Sequence, residues 1–162
     1  MVKKHTFNYN IFEHFVEVDN NTLKTVKKIK LSQDKKIPGM NLTSFYEENK
    51  TLNNLVNSKL KNIIESYKLK LTYCWVQQYL KNSFHTVHTH NSRGVSFVWF
   101  IEGSKKCSPL VFYDIGYPLV EVNSPKVFEF LVGRLIIFPG YIPHEVRPNT
   151  TNNRLIVSGN LV

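Results

Sequence analysis

Gly133-Arg134-Leu135-Ile136-Ile137-Phe138-Pro139-Gly140-Tyr141-Ile142-Pro143-His144 is the stretch on which the fold turns. Leu135 to Phe138 is a short apolar run rich in β-branched and aromatic residues, as a buried strand requires. Pro139-Gly140 ends it. Proline has no amide to donate to a ladder, and glycine accepts turn geometries closed to other residues. His144 therefore stands just past a strand end, at the mouth of whatever sheet or barrel the strand helps to build.

The same pattern recurs on either side. Leu71 to Leu80, Gly94 to Ile101, Pro109 to Asp114, Lys126 to Phe130, Arg134 to Phe138, Glu145 to Arg147 and Arg154 to Leu161 read as strands. All are rich in Val, Ile, Phe and Tyr and are divided by Gly, Pro, Asn and Ser. Serial short strands of this kind predict a sandwich or barrel. Before Lys70 the period differs. Phe7, Tyr9 and Ile11 alternate with polar residues and predict a first strand. Asn20-Asn21-Thr22 opens a helix through Leu23, Val26 and Ile29. Gln33 to Asn41, with Pro38-Gly39, reads as a loop. Thr51 is the expected N-cap of the strongest helix. Its apolar positions, Leu52, Leu55, Val56, Leu60, Ile63, Ile64 and Tyr67, form one stripe that must lie on a sheet. The expected architecture is mainly β, in one domain over 1–162. Residues 1–70 supply a strand and supporting helices, and 71–162 the strand core.

Composition narrows the function. A chain of 162 residues, 42% hydrophobic with 11 Phe and 8 Tyr, has enough apolar surface for a packed core. No apolar run reaches the roughly 18 to 20 residues of a membrane span, and Met1 to His5 does not begin a signal segment. The expectation is a cytoplasmic protein with no membrane partner. Cys74 and Cys107, the only cysteines, make neither a disulfide framework nor a cysteine-type zinc site. The Asn-x-Thr triplets at Asn20, Asn41 and Asn149 are chance matches in an Asn-rich chain. The net charge is +9, with much of the excess at Lys24, Lys27, Lys28, Lys30, Lys35 and Lys36. Such a surface attracts nucleic acid or an acidic protein. No nucleic-acid-binding motif accompanies it, and a solvated helix face explains it equally.

The chemistry concentrates late in the chain. His88 and His90 sit two residues apart, so on a strand or at its end both imidazoles point one way. Neutral imidazole is the commonest protein metal ligand, and His144 offers a third. His5 and His14 read as structural, whereas His85 lies beside the pair and could touch a substrate. Arg154, ten residues after His144, opens a strand on which Arg154, Ile156, Ser158 and Asn160 share a face. A guanidinium on an apolar strand requires a carboxylate, and its planar fork suits a bidentate one, with Ser158 adding a hydroxyl donor. Glu145 or Asp114 could satisfy it, or a bound acid could. Metal ligands beside a carboxylate clamp suggest a keto acid chelating the metal. Trp75, Trp99 and Phe138 read as core.

Gly133 to His144, followed by Arg154 and Asn160, resembles the C-terminal half of the 2-oxoglutarate- and Fe(II)-dependent oxygenases. Trp75, Tyr79, His88-Thr89-His90, Gly94 to Phe100 and Leu110 to Asp114 resemble the strands before it. The likeness is greatest to a small bacterial and phage group with His-x-His and FPxxxxH segments. It covers about Trp75 to Leu161. It implies a double-stranded β-helix (jelly-roll, cupin-like) with N-terminal helices packed on one sheet. It also implies Fe(II), 2-oxoglutarate and O₂ as cofactors, with ascorbate in support, and hydroxylation coupled to decarboxylation of 2-oxoglutarate to succinate.

The resemblance carries over His88 and His144 as iron ligands, and Arg154, Ser158, Tyr79 and Asn160 are the expected keto-acid contacts. The chain departs from the family twice. His90 stands where most members place a carboxylate, so either His90 completes an all-histidine site or another residue, such as Asp114, serves. Phe100 stands where many relatives have a tyrosine hydroxyl, for which Tyr79 could substitute. Gln77, Gln78 and Asn91 are candidate partners for the ligand imidazoles' other nitrogens. The substrate is unidentified: a protein side chain, an amino acid or a modified base. Two other readings use the same residues, a three-histidine cupin-like dioxygenase without keto acid and a non-catalytic jelly-roll binding module.

Overall fold

The structure is a computed structural model that describes residues 9–33, 42–90, 94–114 and 125–162. Eleven strands and two helices lie within them. The strands are β1 (Phe12–Phe15), β2 (Ser32–Gln33), β3 (Leu42–Thr43), β4 (Leu71–Tyr79), β5 (His85–His88), β6 (Val95–Glu102), β7 (Leu110–Phe112), β8 (Lys126–Phe128), β9 (Arg134–Pro139), β10 (His144–Val146) and β11 (Arg154–Leu161). The helices are α1 (Asn20–Lys27) and α2 (Lys50–Ser66). The larger sheet has the order β1-β9-β6-β11-β4-β3-β2, the smaller β5-β10-β7-β8. The paired strands are antiparallel. This is a mainly β, double-stranded β-helix with the helices against one face of the larger sheet.

Period-two alternation explains the layering. On β6 and β11, Phe97, Trp99, Ile101, Leu155, Val157 and Leu161 face the helices, with Cys74 and Val76 of β4. There they meet Leu52, Leu55, Val56, Leu60 and Ile64 of α2, and Val26 of α1. The alternate residues Val98, Phe100, Ile156 and Tyr79 face the space between the sheets, with Phe112, Phe128, Phe138 and Val146. The α2 stripe thus lies on a sheet, as its spacing requires.

Several boundaries differ from the sequence expectation. The first strand is Phe12–Phe15, paired to β9. Tyr9 and Ile11 instead pack on the inner core, and Phe7 lies outside the described residues. The helix caps fall one and two residues early. Asp19 accepts from Thr22 N at 2.7 Å and Asn49 from Leu52 N at 3.0 Å, so Asn49, not Thr51, caps α2. Both place the cap side chain opposite the third helical amide, which has no partner within its helix. The expected loop over 33–41 is flanked by β2 and β3, and 34–41 lie outside the described residues. Strand β5 was not expected; its sequence is polar because it carries site residues. His144 opens β10 instead of preceding it.

Candidate metal centre

β5 and β10 run antiparallel with His88 opposite His144. His90 lies just beyond β5, where its amide donates to Gly140 O at 2.7 Å. Gly140 N in turn donates to Gly94 O at 3.1 Å, so the Pro139-Gly140 turn braces the His90 backbone. The ring atoms converge. His90 Nε2 lies 3.3 Å from His88 Nε2 and 3.2 Å from His144 Nε2. The three residues offer one ligand atom each within 4.8 Å of one another, spacing that suits one metal ion.

The far nitrogens explain why the near ones are free. His88 Nδ1 lies 2.8 Å from Thr86 O, and His144 Nδ1 lies 2.8 Å from Ile142 O. A carbonyl only accepts, so both Nδ1 atoms carry the proton and each Nε2 presents a lone pair. His90 Nδ1 lies 3.0 Å from Ser96 Oγ and 3.3 Å from Asn160 Oδ1, and Ser96 donates to Asn160 at 3.0 Å. Partners of this kind fix ring orientation at metal sites. They are two carbonyls, Ser96 and Asn160, and not Gln77 or Gln78; Asn91 lies outside the described residues. Ser96 escaped the sequence reading because one hydroxyl on an aromatic strand carries no signal.

Burial lowers the affinity of all three rings for protons. It takes His88 down to about 4 against the pull of the Thr86 carbonyl. His90 falls too, opposed by Asn160, and His144 falls well below the ordinary range, with the other imidazoles adding. The cluster is therefore neutral at neutral pH, the form that binds metal. His144 is 2% exposed and packs against Phe112 and Phe138.

Arg154 occupies the same space between the sheets, opposite Tyr79 on β4. It is fully buried. Its Nε donates to Ser108 O at 3.0 Å, while among the described residues Nη1 and Nη2 have no carboxylate partner and the Tyr79 side chain is their polar neighbour. Its Cζ lies 4.4 Å from the Tyr79 ring centroid, 5.5 Å from Phe130 and 5.7 Å from Phe100. Glu145 and Asp114, the carboxylates expected as its partners, are engaged elsewhere. Glu145 accepts from Tyr113 at 2.5 Å and Arg147 at 2.9 Å, and Asp114 accepts from Tyr9 at 2.8 Å. Asp114 is also not part of the convergent cluster of His88, His90 and His144. Ser158 is buried mid-strand between Trp75 and Val98. Asn160 lies at the His90 end of β11, not the Arg154 end.

The sequence matches no family model and no curated protein. Solved structures do match. An oxidoreductase of the 2OG-Fe(II) oxygenase family from Burkholderia pseudomallei superposes with a TM-score of 0.68 at 15% identity, over 88% of this chain and 78% of that one. A Pseudomonas putida prolyl-4-hydroxylase gives 0.65 at 16%, over 94% and 92%. HygX from Streptomyces hygroscopicus, solved with nickel, 2-oxoglutarate and hygromycin B, gives 0.70 at 10%, over 94% and 82%. The fold is that of the 2-oxoglutarate- and Fe(II)-dependent oxygenases.

Proposed function

We propose that this protein is an Fe(II)- and 2-oxoglutarate-dependent oxygenase that hydroxylates its substrate. The observation that carries the reading is a fully buried guanidinium with no carboxylate partner among the described residues, in the same interior as three convergent imidazoles. A buried charge left unpaired costs several kcal/mol. A dicarboxylic keto acid meets both demands at once, one end on Arg154 and the other on the metal.

The donor set fits the cofactors. His88, His90 and His144 would hold the metal through Nε2. Arg154 would take the distal carboxylate as a bidentate pair, with Tyr79 and Phe100 walling the site. When bound, the iron, 2-oxoglutarate and O₂ supply the oxidising chemistry, which yields succinate, CO₂ and a hydroxylated product. The chain's own part is to orient the rings, through Thr86 O, Ile142 O, Ser96 and Asn160, and to exclude water with Phe112, Phe138 and Phe130. Titration is not part of that task, because burial keeps the imidazoles neutral.

Proteins of this fold include a prolyl-4-hydroxylase and HygX, the latter with hygromycin B bound. For this chain a protein side chain, a free amino acid and a modified base are the classes to screen. The test is succinate release from 2-oxoglutarate with Fe(II), ascorbate and O₂, together with anaerobic keto-acid binding. Turnover and binding that vanish in His144→Ala and Arg154→Met support the reading. Absence of both from the wild type sinks it. His90 in place of a carboxylate favours one alternative, a three-histidine dioxygenase that uses no keto acid. Metal binding without a keto-acid chelate band would select it.

A further inference from the structure

A fourth imidazole stands beside the triad, delivered by an irregularity in the smaller sheet. Along a regular strand, residues three apart point to opposite faces. His85 and His88 are three apart, yet their rings stack face to face, centroids 3.5 Å apart and planes 9° apart. The register explains it. His88 pairs with His144 and His85 with Val146, so three steps on β5 answer two on β10, and the ladder shifts between them. The extra residue is a β-bulge, which turns His85 onto the face that carries His88. Val146, its cross-strand partner, belongs to the inner core. Thr86, inside the bulge, supplies the carbonyl at His88 Nδ1.

His85 is not itself a ligand in this arrangement. Stacked rings keep their in-plane lone pairs in separate, nearly parallel planes, and among the described residues His88, His90 and His144 are the group whose ligand atoms converge. No nitrogen of His85 forms a hydrogen bond among the described residues. What its ring meets is the His88 face. Of the three converging residues His88 has the weakest framework, because among the described residues β5 is an edge strand with β10 as its one neighbour. His144 is buried on β10 between two strands, and His90 is held by Ser96 and Asn160. The carbonyl at Nδ1 orients the His88 ring through one hydrogen bond, which still tolerates some tilt of the ring plane. A parallel ring at 3.5 Å closes that freedom.

We propose that His85 is a positioning residue of the metal centre, placed by the β5 bulge to hold the plane of the His88 imidazole. The inference rests on reading the triad as a metal site but not on the keto acid. The test is Co(II) affinity, by competition with a chromogenic chelator, and the visible d–d spectrum. It uses the wild type, His85→Ala, His85→Phe and His144→Ala, with thermal melts as the folding control. The expected results are a roughly tenfold or greater loss of affinity and an altered spectrum in His85→Ala, the scale at which supporting partners act. His85→Phe, which keeps a stacked ring, returns both towards wild type. Equal affinity and spectrum in His85→Ala overturn the proposal, as does a His85→Phe variant as impaired as His85→Ala. A wild type that binds no Co(II), or a His144→Ala that binds it as well as wild type does, overturns the metal site itself and this role with it.

Discussion

Three imidazole lone pairs aimed at one point repel one another unless a cation stands among them. That is the state the Nδ1 partners of His88 and His144 impose, and His90 shares their centre at 3.2 and 3.3 Å. His90 is therefore the residue to test first. His90→Ala should lose metal affinity outright, whereas His90→Asp, which restores two histidines and a carboxylate, should keep it. Calorimetric titration with Co(II) reads both; equal loss in the two variants argues that His90 is no ligand. Ser96→Ala removes the oxygen 3.0 Å from His90 Nδ1. It should weaken metal binding about tenfold without unfolding the protein. Arg154→Met should abolish keto-acid binding and leave the metal in place, measured as loss of the anaerobic charge-transfer band at constant metal content.

At the scale of elements, β11 decides most. It is flanked by β4 and β6, with Arg154, Ser158 and Asn160 facing inward and Leu155, Val157 and Leu161 facing the helices. Gly159 has no room for a side chain. A Cβ there would meet Phe97 Cε1 at 2.4 Å and the Tyr73 carbonyl oxygen at 2.7 Å. Gly159→Ala should therefore destabilise the sheet by the 1–3 kcal/mol typical of overpacking, read as a lower urea midpoint. A melt unchanged by that substitution would mean that the strands open more easily than this packing implies. The strands themselves were legible in sequence, because period two and Pro/Gly punctuation are local. Strand β5 was not, because its four residues hold two site histidines and no apolar alternation. The caps at Asp19 and Asn49 were displaced from the sequence expectation, since neighbouring Asn and Thr residues offer the same chemistry and only backbone geometry chooses among them.

At the scale of the whole molecule, the site couples to stability. The folded protein holds His88 at about 4, and His90 and His144 are lowered in the same sense by burial. In the unfolded chain these rings take protons near their ordinary 6.5. The unfolded state then binds more protons, so stability falls as pH drops. The metal-free protein should be fully stable above about pH 6.5 and lose stability progressively towards pH 4, with urea midpoints tracking the change. Midpoints flat across that window would show the rings to be more solvated than this packing implies. Metal should work in the opposite direction. At about a hundredfold excess over its Kd, Co(II) adds about 2.7 kcal/mol, or roughly 5 to 10 °C in Tm for a domain of this size. That gain should be lost in His144→Ala.

The amino-acid sequence by itself determined the class of fold, the helix stripe and the identity of the three converging histidines. Each rests on spacing: a period of two or 3.6 residues, and His-x-His with a third imidazole after a Pro/Gly turn. Tertiary structure alone decided the rest. Asp114 and Glu145 are held by Tyr9, Tyr113 and Arg147, which leaves the Arg154 fork without a carboxylate among the described residues. Asn160 turns to His90, and a bulge between two strands brings His85 onto His88. These outcomes depend on register between strands far apart in the chain. A one-residue shift there exchanges the faces of a strand, and spacing along a single segment carries no record of it.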